Sequence, residues 1–224
     1  MNFYKVFFAT FLFFSSANAQ SYLIPNSISP KLLEPALTVH SAAWQNEIEQ
    51  VLKAQKNLNV EDLDEAIFQK HLQPETIAQA IDPTITRQNF PKLYHLMDRV
   101  GDSSRFETDA IKEYWNETRP YLADSRVKMF ITPSHGSSYP SGHTTGSYVY
   151  ANVLSLLFPQ KREAIQNLAA RIGQNRIKIG MHYPHDIRGG KTLAFFIVGS
   201  LTQSAEFQKD LQKALSEVES MEKK

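Results

Sequence analysis

The stretch SYPSGHTTG, Ser138–Gly146, places a proline, a serine, a glycine and a histidine in consecutive positions, followed by two threonines and a glycine. Proline is well placed in the first turn of a helix, where its missing N–H is no loss. The small residues beside it leave the first backbone N–H groups uncovered, and these groups bind anions together with the positive end of the helix dipole. His143 is expected to project from this turn. The stretch therefore predicts a helix start that holds an oxyanion, although the same letters fit an ordinary helix start with a chance histidine.

The rest of the chain is typical of helices, because apolar residues recur three and four positions apart and few segments alternate as strands do. Helices are expected at 93–100, 111–115 and 165–172, from about Ser141 to Leu157 and after Asp186, with amphipathic segments at 48–52 and 63–67 and a solvated helix end at 216–224. Arg119-Pro120 should close the helix at 111–115, since the residue before proline avoids helical backbone. The sequence predicts an all-α fold, a single compact helical-bundle domain over residues 20–224.

The first 19 residues have the pattern of a signal peptide. Lys5 precedes an apolar run at 6–14, and Ala17 and Ala19 form the A-x-A arrangement that signal peptidase reads. The run is too short to span a bilayer as a helix, which needs about 20 residues, although an uncleaved anchor is the alternative. No cysteine follows the cleavage point, which excludes a lipoprotein anchor. We expect cleavage after Ala19, a periplasmic location and no stable membrane insertion.

The composition of the mature chain limits its partners. Cleavage would remove one lysine and leave 23 basic against 23 acidic side chains, so nucleic acid is not an expected partner. The chain has no cysteine, which excludes disulfides, thiolate nucleophiles and thiolate metal ligands.

Upstream, the segment KEYWNETRP, residues 112–120, carries Lys112 and Arg119 seven positions apart. On one helix they would lie two turns apart on nearly the same face, roughly 10 Å along the axis. Such a pair could clamp a dianion, because the planar fork of arginine holds two phosphate oxygens at once. The alternative is a solvated face on which Glu113 and Glu117 pair with the two cations.

Downstream, the segment NRIKIGMHYPHDIRGG, residues 175–190, places Arg176 six positions before His182 and Asp186 four positions after it. A carboxylate at that spacing can accept from the Nδ1–H of the imidazole, which fixes the tautomer and leaves the Nε2 lone pair facing outward. A histidine nucleophile or base requires this arrangement. Asp186 could also be an ordinary helix cap, and the two roles are compatible.

Together the segments read Lys-x6-Arg-Pro, Pro-Ser-Gly-His and Arg-x5-His-x3-Asp, a combination far more specific than any one of them. It resembles the three-part signature of the type 2 phosphatidic acid phosphatase and vanadium haloperoxidase superfamily. Within that superfamily the chain is most similar to the bacterial class A non-specific acid phosphatases, over most of residues 20–218 and most strongly after Lys112. The resemblance implies a helical-bundle fold and small-molecule phosphate monoesters as substrates, and it leaves a homo-oligomer open.

The resemblance also implies roles for the motif residues. The phosphate would be bound by Lys112, Arg119 and Arg176, with hydroxyl and backbone N–H contacts from Ser141 and Gly142. His182 would attack phosphorus and form a phosphohistidine intermediate, with Asp186 orienting it. His143 would protonate the leaving oxygen and later activate water.

Two positions depart from the family pattern. Asn175 stands where the pattern usually has serine. One polar contact beside the bound phosphate would therefore differ from the family pattern. Ser137 stands where the class A signature usually has glycine, which changes the backbone freedom of the loop. Neither departure removes a charged or titrating member of the site.

These residues predict acid chemistry without a metal or another cofactor. His182 must be neutral to attack and His143 protonated to donate, so histidines with a pKa of about 6.5 work best on the acidic side of neutral. A metal site at His182, His185 and Asp186 is the competing hypothesis, but it leaves the three cations without a role.

Three other activities are open from the sequence. A vanadate-dependent haloperoxidase would use the same oxyanion cradle, but such enzymes are typically longer. A lipid-linked (di)phosphate phosphatase could act from the aqueous side, although its relatives usually span the membrane several times. A phosphate-binding protein without activity would need neither the two histidines nor Asp186.

Overall fold

The computed structural model describes residues 21–132 and 136–222, so the predicted signal peptide at 1–19 lies outside the described residues. Within this part of the chain every regular element is a helix, and the predicted all-α fold is confirmed. The α-helices are α1 (Ala42–Lys56), α2 (Val60–Phe68), α3 (Pro74–Ile81), α4 (Pro91–Trp115), α5 (Pro120–Ala123), α6 (Gly142–Leu157), α7 (Arg162–Lys178), α8 (Pro184–Leu201) and α9 (Ala205–Glu222). No helix in these ranges combines the length and the apolar character needed to cross a membrane.

Helix α6 is the centre of the bundle. Eleven of its 16 residues are buried, and it packs against α4, α7 and α8. Its apolar side chains, such as Val149 and Val153, join the main core with Leu96 of α4 and Ile172 of α7. Because α6 is surrounded by other helices, its N-terminal end and the SYPSGHTTG stretch are held at a fixed position inside the molecule.

Helix α4 is longer than the sequence predicts. Separate helices at 93–100 and 111–115 are expected from the apolar pattern, but the structure has one continuous helix of 25 residues, Pro91–Trp115. The polar residues between the two patterns are buried by the segment that precedes α1. Ser103 Oγ accepts from the N–H of Tyr22 at 3.0 Å, and the same segment supplies two backbone N–H groups to the buried carboxylate of Glu107 at 3.0 Å.

The end of α4 corrects the predicted geometry of the two cations. Asn116 adopts a left-handed conformation, φ 46° and ψ 43°, and the helix stops there. Arg119 lies beyond this point in extended backbone, φ −70° and ψ 152°, as the following Pro120 requires. Lys112 therefore lies on the helix and Arg119 does not, and the prediction that they share one helical face is wrong.

The C-terminal helix α9 is also more integrated than the predicted solvated end at 216–224. The Glu217 carboxylate, 9% exposed, accepts from the N–H of Lys92 at 3.0 Å and from that of Leu93 at 2.9 Å. These are N–H groups of the first turn of α4, which have no partner inside their own helix. Glu217 therefore caps α4 from a position more than 120 residues later in the chain.

Candidate active site

His182 and Asp186 form a buried pair at the N-terminal end of α8. His182 Nδ1 lies 2.9 Å from Asp186 Oδ2, and the two residues are 3% and 0% exposed. The same Oδ2 accepts from the N–H of Tyr183 at 2.9 Å. Asp186 thus closes the first turn of the helix and orients the imidazole, so both of the roles considered for it are present.

The surroundings of this pair keep the imidazole neutral. Burial, with the positive charges of Arg119 and Lys112, lowers the pKa of His182 to about 3. Burial opposes ionisation of Asp186, but hydrogen bonds from His182, Ser138 and the N–H of Tyr183 lower the pKa of this carboxyl group. A neutral imidazole that donates through Nδ1–H has its lone pair on Nε2.

Arg119 faces that lone pair. Its Nη1 lies 3.2 Å from His182 Nε2 and donates to the carbonyl of Met181 at 3.1 Å. Its Nε donates to the carbonyl of Gly136 at 3.0 Å. Arg119 is 4% exposed, and within residues 21–132 and 136–222 no carboxylate forms a salt bridge with it. A buried cation without a counterion favours binding of an anion.

Arg176 and Lys112 supply two more buried or half-buried cations. Arg176 is 1% exposed, its Nη2 donates to the carbonyl of Ala66 at 2.8 Å, and its Nε has no hydrogen-bond partner among the described residues. Lys112 Nζ donates to the carbonyls of Ser137 at 2.6 Å and Ser138 at 2.9 Å. Burial lowers the pKa of Arg176 to about 10. Burial, with the charge of Arg119, lowers the pKa of Lys112 to about 7.

The SYPSGHTTG stretch starts α6, as predicted, but Pro140 precedes the N-cap and does not lie in the first turn of the helix. Ser141 is the N-cap, and its Oγ accepts from the N–H of Thr144 at 3.3 Å and from Thr144 Oγ1 at 3.0 Å. The hydroxyl predicted to contact substrate is therefore already engaged as a cap. A methyl group on Gly142 would lie 3.8 Å from Lys112 Cε, so the lysine stem runs beside the helix start. The N–H of Ser141 donates to the carbonyl of Asp186 at 3.0 Å, which joins this stretch to α8.

His143 is close enough to Arg176 and Arg119 for their charges to act on its imidazole. Its Nε2 is 3.1 Å from the carbonyls of both Gln69 and Lys70, in the α2–α3 loop. Because both partners are acceptors, Nε2 carries hydrogen and the lone pair of the neutral ring is on Nδ1. Burial, with the charges of Arg176 and Arg119, lowers the pKa of His143 to about 4. Arg119 thus acts electrostatically on both His143 and His182.

A groove of about 560 Å³ borders His143 and Gly142. It lies between α4, the α2–α3 loop and the first turns of α6, and His71, Arg105 and Asp109 are among its charged or titratable lining residues. The groove therefore lies next to the histidine that is predicted to protonate the leaving oxygen.

The two departures from the family pattern have structural partners. Asn175 is fully buried and its Nδ2 donates to Glu65 Oε2 at 3.0 Å and to Gln69 Oε1 at 3.1 Å. Asn175 thus supports the loop whose carbonyls contact His143. Ser137 Oγ accepts from the N–H of Glu117 at 2.8 Å, which fixes the loop after α4.

Two neighbours of Asp186 were not expected from the sequence. Ser138 Oγ donates to Asp186 Oδ2 at 2.5 Å, and the only signal for it is its place in the SYPSGHTTG stretch. In the alternative considered for the Lys112 and Arg119 pair, Glu117 would lie on a solvated face, but it is 6% exposed and its Oε1 accepts from the N–H of Leu37 at 3.0 Å. The structure therefore places a second carboxyl group beside the His182 and Asp186 pair.

His185 is one of the three residues in the alternative hypothesis of a metal site. Its ring stacks on Tyr139 with centroids 4.4 Å apart and an interplanar angle of 17°. In the ranges that the structure describes, no group of three or more histidine, aspartate or glutamate side chains is arranged to hold a metal ion.

Comparison with known proteins agrees with this geometry. Residues 103–210, which include every candidate site residue, match the PAP2 superfamily. The chain is 29% identical to the non-specific acid phosphatase of Providencia stuartii over an alignment of 201 residues. The alignment covers 86% of this chain and 81% of that protein. Three further acid phosphatases match over only 51% to 57% of their own length.

Solved structures share the fold. The transmembrane PAP2 type phosphatidylglycerolphosphate phosphatase from Bacillus subtilis superposes with a TM-score of 0.53 at 20% identity, over 75% of this chain and 90% of that one. A bacterial vanadium-dependent iodoperoxidase superposes with a TM-score of 0.57 at 17% identity, over 75% of this chain and 52% of that one. The resemblance inferred from the three motifs is confirmed by the match of residues 103–210 to the PAP2 superfamily and by the 29% identity to a non-specific acid phosphatase over 201 residues.

Proposed function

We propose that the chain is a phosphoric monoester hydrolase, an acid phosphatase that works through a phosphohistidine intermediate and without a metal ion. The observation that carries the proposal is the buried, neutral His182, oriented by Asp186 at 2.9 Å and facing Arg119 at 3.2 Å. Similarity to a non-specific acid phosphatase over most of the chain supports the same reaction class.

Binding of a phosphate would rearrange the contact between Arg119 and His182. In the structure Arg119 Nη1 donates toward His182 Nε2, so the lone pair needed for attack is engaged. A phosphate oxygen is a better acceptor for a guanidinium than an imidazole is, because the hydrogen bond is charge-assisted at both ends. A bound phosphate would therefore accept the hydrogen bond of Arg119 in place of His182. The lone pair of His182 Nε2 would then be free next to phosphorus.

The reaction has two steps. His182 Nε2 forms a bond to phosphorus, and the bond to the leaving oxygen breaks with its electron pair on that oxygen. The leaving oxygen takes the proton from His143 Nδ1, the ring nitrogen that does not face the two loop carbonyls. Water, deprotonated by the same Nδ1, then attacks phosphorus and releases phosphate and neutral His182. Lys112, Arg119 and Arg176 would stabilise the charge on the equatorial oxygens throughout.

The test is hydrolysis of p-nitrophenyl phosphate by purified residues 20–224 between pH 4 and 8, with and without EDTA. We expect turnover that is highest below neutrality and unchanged by EDTA. His182→Ala should lose at least about 10³-fold in kcat, since the nucleophile is gone. His95→Ala, an exposed histidine on α4, is the matched control and should keep wild-type kcat.

Two outcomes would contradict the proposal. Absence of turnover by the folded wild-type chain at every pH would reject the phosphatase assignment. Wild-type kcat in a folded His182→Ala variant would reject His182 as the nucleophile.

We also propose that the chain is exported and cleaved after Ala19. The support is the pattern of Lys5, the apolar run at 6–14 and the A-x-A arrangement. N-terminal sequencing of the protein from the periplasmic fraction of an expressing bacterium should begin at Gln20. Recovery only from the cytoplasm, starting at Met1, would contradict export.

A further inference from the structure

Two buried carboxyl groups meet beside His182. Glu117, in the loop after α4, is 6% exposed, and Asp186 in α8 is 0% exposed. Glu117 Oε2 and Asp186 Oδ1 are both closed off from solvent and have no hydrogen-bond partner among the described residues. The charge of Asp186 and hydrogen bonding with it are among the causes that raise the pKa of Glu117, which indicates that the two side chains are neighbours.

The remaining oxygen of each carboxyl group already has donors. Glu117 Oε1 accepts from the N–H of Leu37 at 3.0 Å. Asp186 Oδ2 accepts from Ser138 Oγ, from His182 Nδ1 and from one backbone N–H. Among the described residues, Oε2 of Glu117 and Oδ1 of Asp186 are the two oxygens of this pair that have no donor. Two carboxylate oxygens are both acceptors, so they can satisfy each other only if a proton lies between them.

We propose that Glu117 is a positioning residue that retains its proton and donates it from Oε2 to Asp186 Oδ1, so that the two carboxyl groups together carry one negative charge. The assignment rests on the proposed function for its catalytic meaning. With this hydrogen bond both oxygens of Asp186 are held, and the carboxylate cannot rotate away from His182 Nδ1.

The charge of the site agrees with a neutral Glu117. Burial, with the negative charge of Asp186, raises the pKa of Glu117 to about 9. Lys112, Arg119 and Arg176 carry three positive charges against one on Asp186, so the site has two positive charges for a phosphate dianion. An ionised Glu117 would cancel one of them. The titratable or charged groups that face Glu117 are Asp186, Glu47, Lys112, Tyr139 and Tyr183.

The direct test does not depend on activity. In the ¹³C-labelled wild-type chain, the Glu117 carboxyl carbon is assigned through bonds to its own amide and observed at pH 6. We expect the chemical shift of a protonated carboxyl group, whereas an ordinary glutamate with a pKa of about 4.3 is ionised at this pH. The shift of an ionised carboxylate at pH 6 would overturn the inference.

The catalytic consequence is tested with a pair of variants. Glu117→Ala should lower kcat for p-nitrophenyl phosphate by about 10- to 100-fold with little change in KM, as loss of an orienting partner does. Glu117→Gln should recover most of that loss, because its Nε2–H can donate to Asp186 Oδ1. Glu113→Ala, an exposed glutamate of the same segment, should behave as wild type.

Two kinetic results would overturn the inference: wild-type kcat in Glu117→Ala, or a Glu117→Gln variant as slow as Glu117→Ala. Should Glu117→Ala not fold, the carboxyl shift of the wild-type chain decides alone. A wild-type chain without turnover would reject the proposed function instead, and the carboxyl shift would still decide the protonation of Glu117.

Discussion

At the scale of single residues, the two histidines of the proposed mechanism are set in opposite tautomers by their partners. Asp186 accepts a hydrogen bond from the Nδ1–H of His182, so the lone pair of that imidazole is on Nε2. The carbonyls of the α2–α3 loop accept hydrogen bonds from the Nε2–H of His143, so the lone pair of that imidazole is on Nδ1. Backbone carbonyls carry no full negative charge, and burial with the charges of Arg176 and Arg119 lowers the pKa of His143, so its proton is easily lost.

The pH dependence of kcat/KM tests this property of His143. This quantity reports the pKa of the free enzyme's essential acid, and the pKa of His143 is lowered to about 4. The protonated fraction therefore falls as pH rises above about 4, and kcat/KM for p-nitrophenyl phosphate should fall by at least about tenfold between pH 5 and 7. A bound phosphate dianion favours the imidazolium, so kcat should fall at a higher pH than kcat/KM.

Variants test whether titration of His143 causes the decline of kcat/KM with pH. His143→Gln should lower kcat by about 10²- to 10⁴-fold and remove the decline with pH. His71→Gln changes another histidine that lines the same groove and should keep the wild-type profile. A wild-type kcat/KM that is constant or rises from pH 5 to 7 would contradict the role of His143.

The sequence predicts the charged residues of the site better than it predicts their supports. Arg119, His182 and Asp186 have side chains whose chemistry at a given spacing is distinctive, and the structure places Arg119 and Asp186 against His182. Glu117 could not be placed in the same way, because its burial depends on Leu37, 80 positions away in the chain. The alternative of a solvated face for Glu113 and Glu117 rested on the polarity of their own segment alone.

At the scale of elements, the site depends on how closely α8 approaches the start of α6. Gly190 of α8 faces the first turn of α6, and a Cβ there would lie 2.8 Å from the carbonyl oxygen of Ser141 and 3.0 Å from Thr144 Cβ. The same approach allows the N–H of Ser141 to reach the carbonyl of Asp186 at 3.0 Å. The small residue is needed because the nearest atom, the carbonyl oxygen of Ser141, belongs to the backbone and cannot move aside.

A pair of glycine substitutions in α8 tests this approach. Gly190→Ala should destabilise the fold by about 1–3 kcal/mol, as overpacking does. Gly199→Ala adds the same methyl group where nothing lies within 4 Å, and it should stabilise the helix by roughly 0.5–1 kcal/mol. Urea unfolding of the two variants and the wild type gives both values. Equal stability changes in the two variants would contradict the close packing at Gly190.

The existence of most helices could be predicted from apolar spacing, but their extent could not. The two predicted pieces of α4 are joined through buried polar residues such as Ser103 and Glu107, which are satisfied by the segment before α1. A periodic pattern treats those residues as solvated, because their partners lie about 80 positions away. The end of α4 at Asn116 likewise depends on one left-handed residue rather than on the proline that follows.

At the scale of the whole molecule, the site makes folding stability depend on pH. Burial lowers the pKa of His143 to about 4 and that of His182 to about 3, against about 6.5 in the unfolded chain. Below pH 6.5 the unfolded chain therefore binds two more protons at these sites, and stability is lost as pH falls. Glu117 acts in the opposite direction, because its raised pKa of about 9 keeps a proton that unfolding releases above about pH 4.3.

Because the histidines of the unfolded chain are only half-protonated at pH 6.5, the net uptake on unfolding rises from about zero there to about one proton between pH 5.5 and 4.5. We expect the free energy of unfolding to decrease by about 1.4 kcal/mol for each pH unit in this range. Inorganic phosphate at 100 times its Kd should restore about 2.7 kcal/mol, since it binds only the native state. Thermal unfolding at pH 5 and 6.5, with and without phosphate, measures both effects. A melting temperature that rises from pH 6.5 to 5 without phosphate would contradict the buried neutral histidines.

The most direct test of the account is to trap the intermediate. Residues 20–224 are mixed with ³²P-labelled p-nitrophenyl phosphate at pH 5, quenched in base within the first turnover, and digested to peptides. A phosphohistidine at His182 should give acid-labile label on the peptide that contains this residue, and no label in His182→Ala. Substrate turnover with no label on the chain, or with label on a peptide that lacks His182, would contradict it.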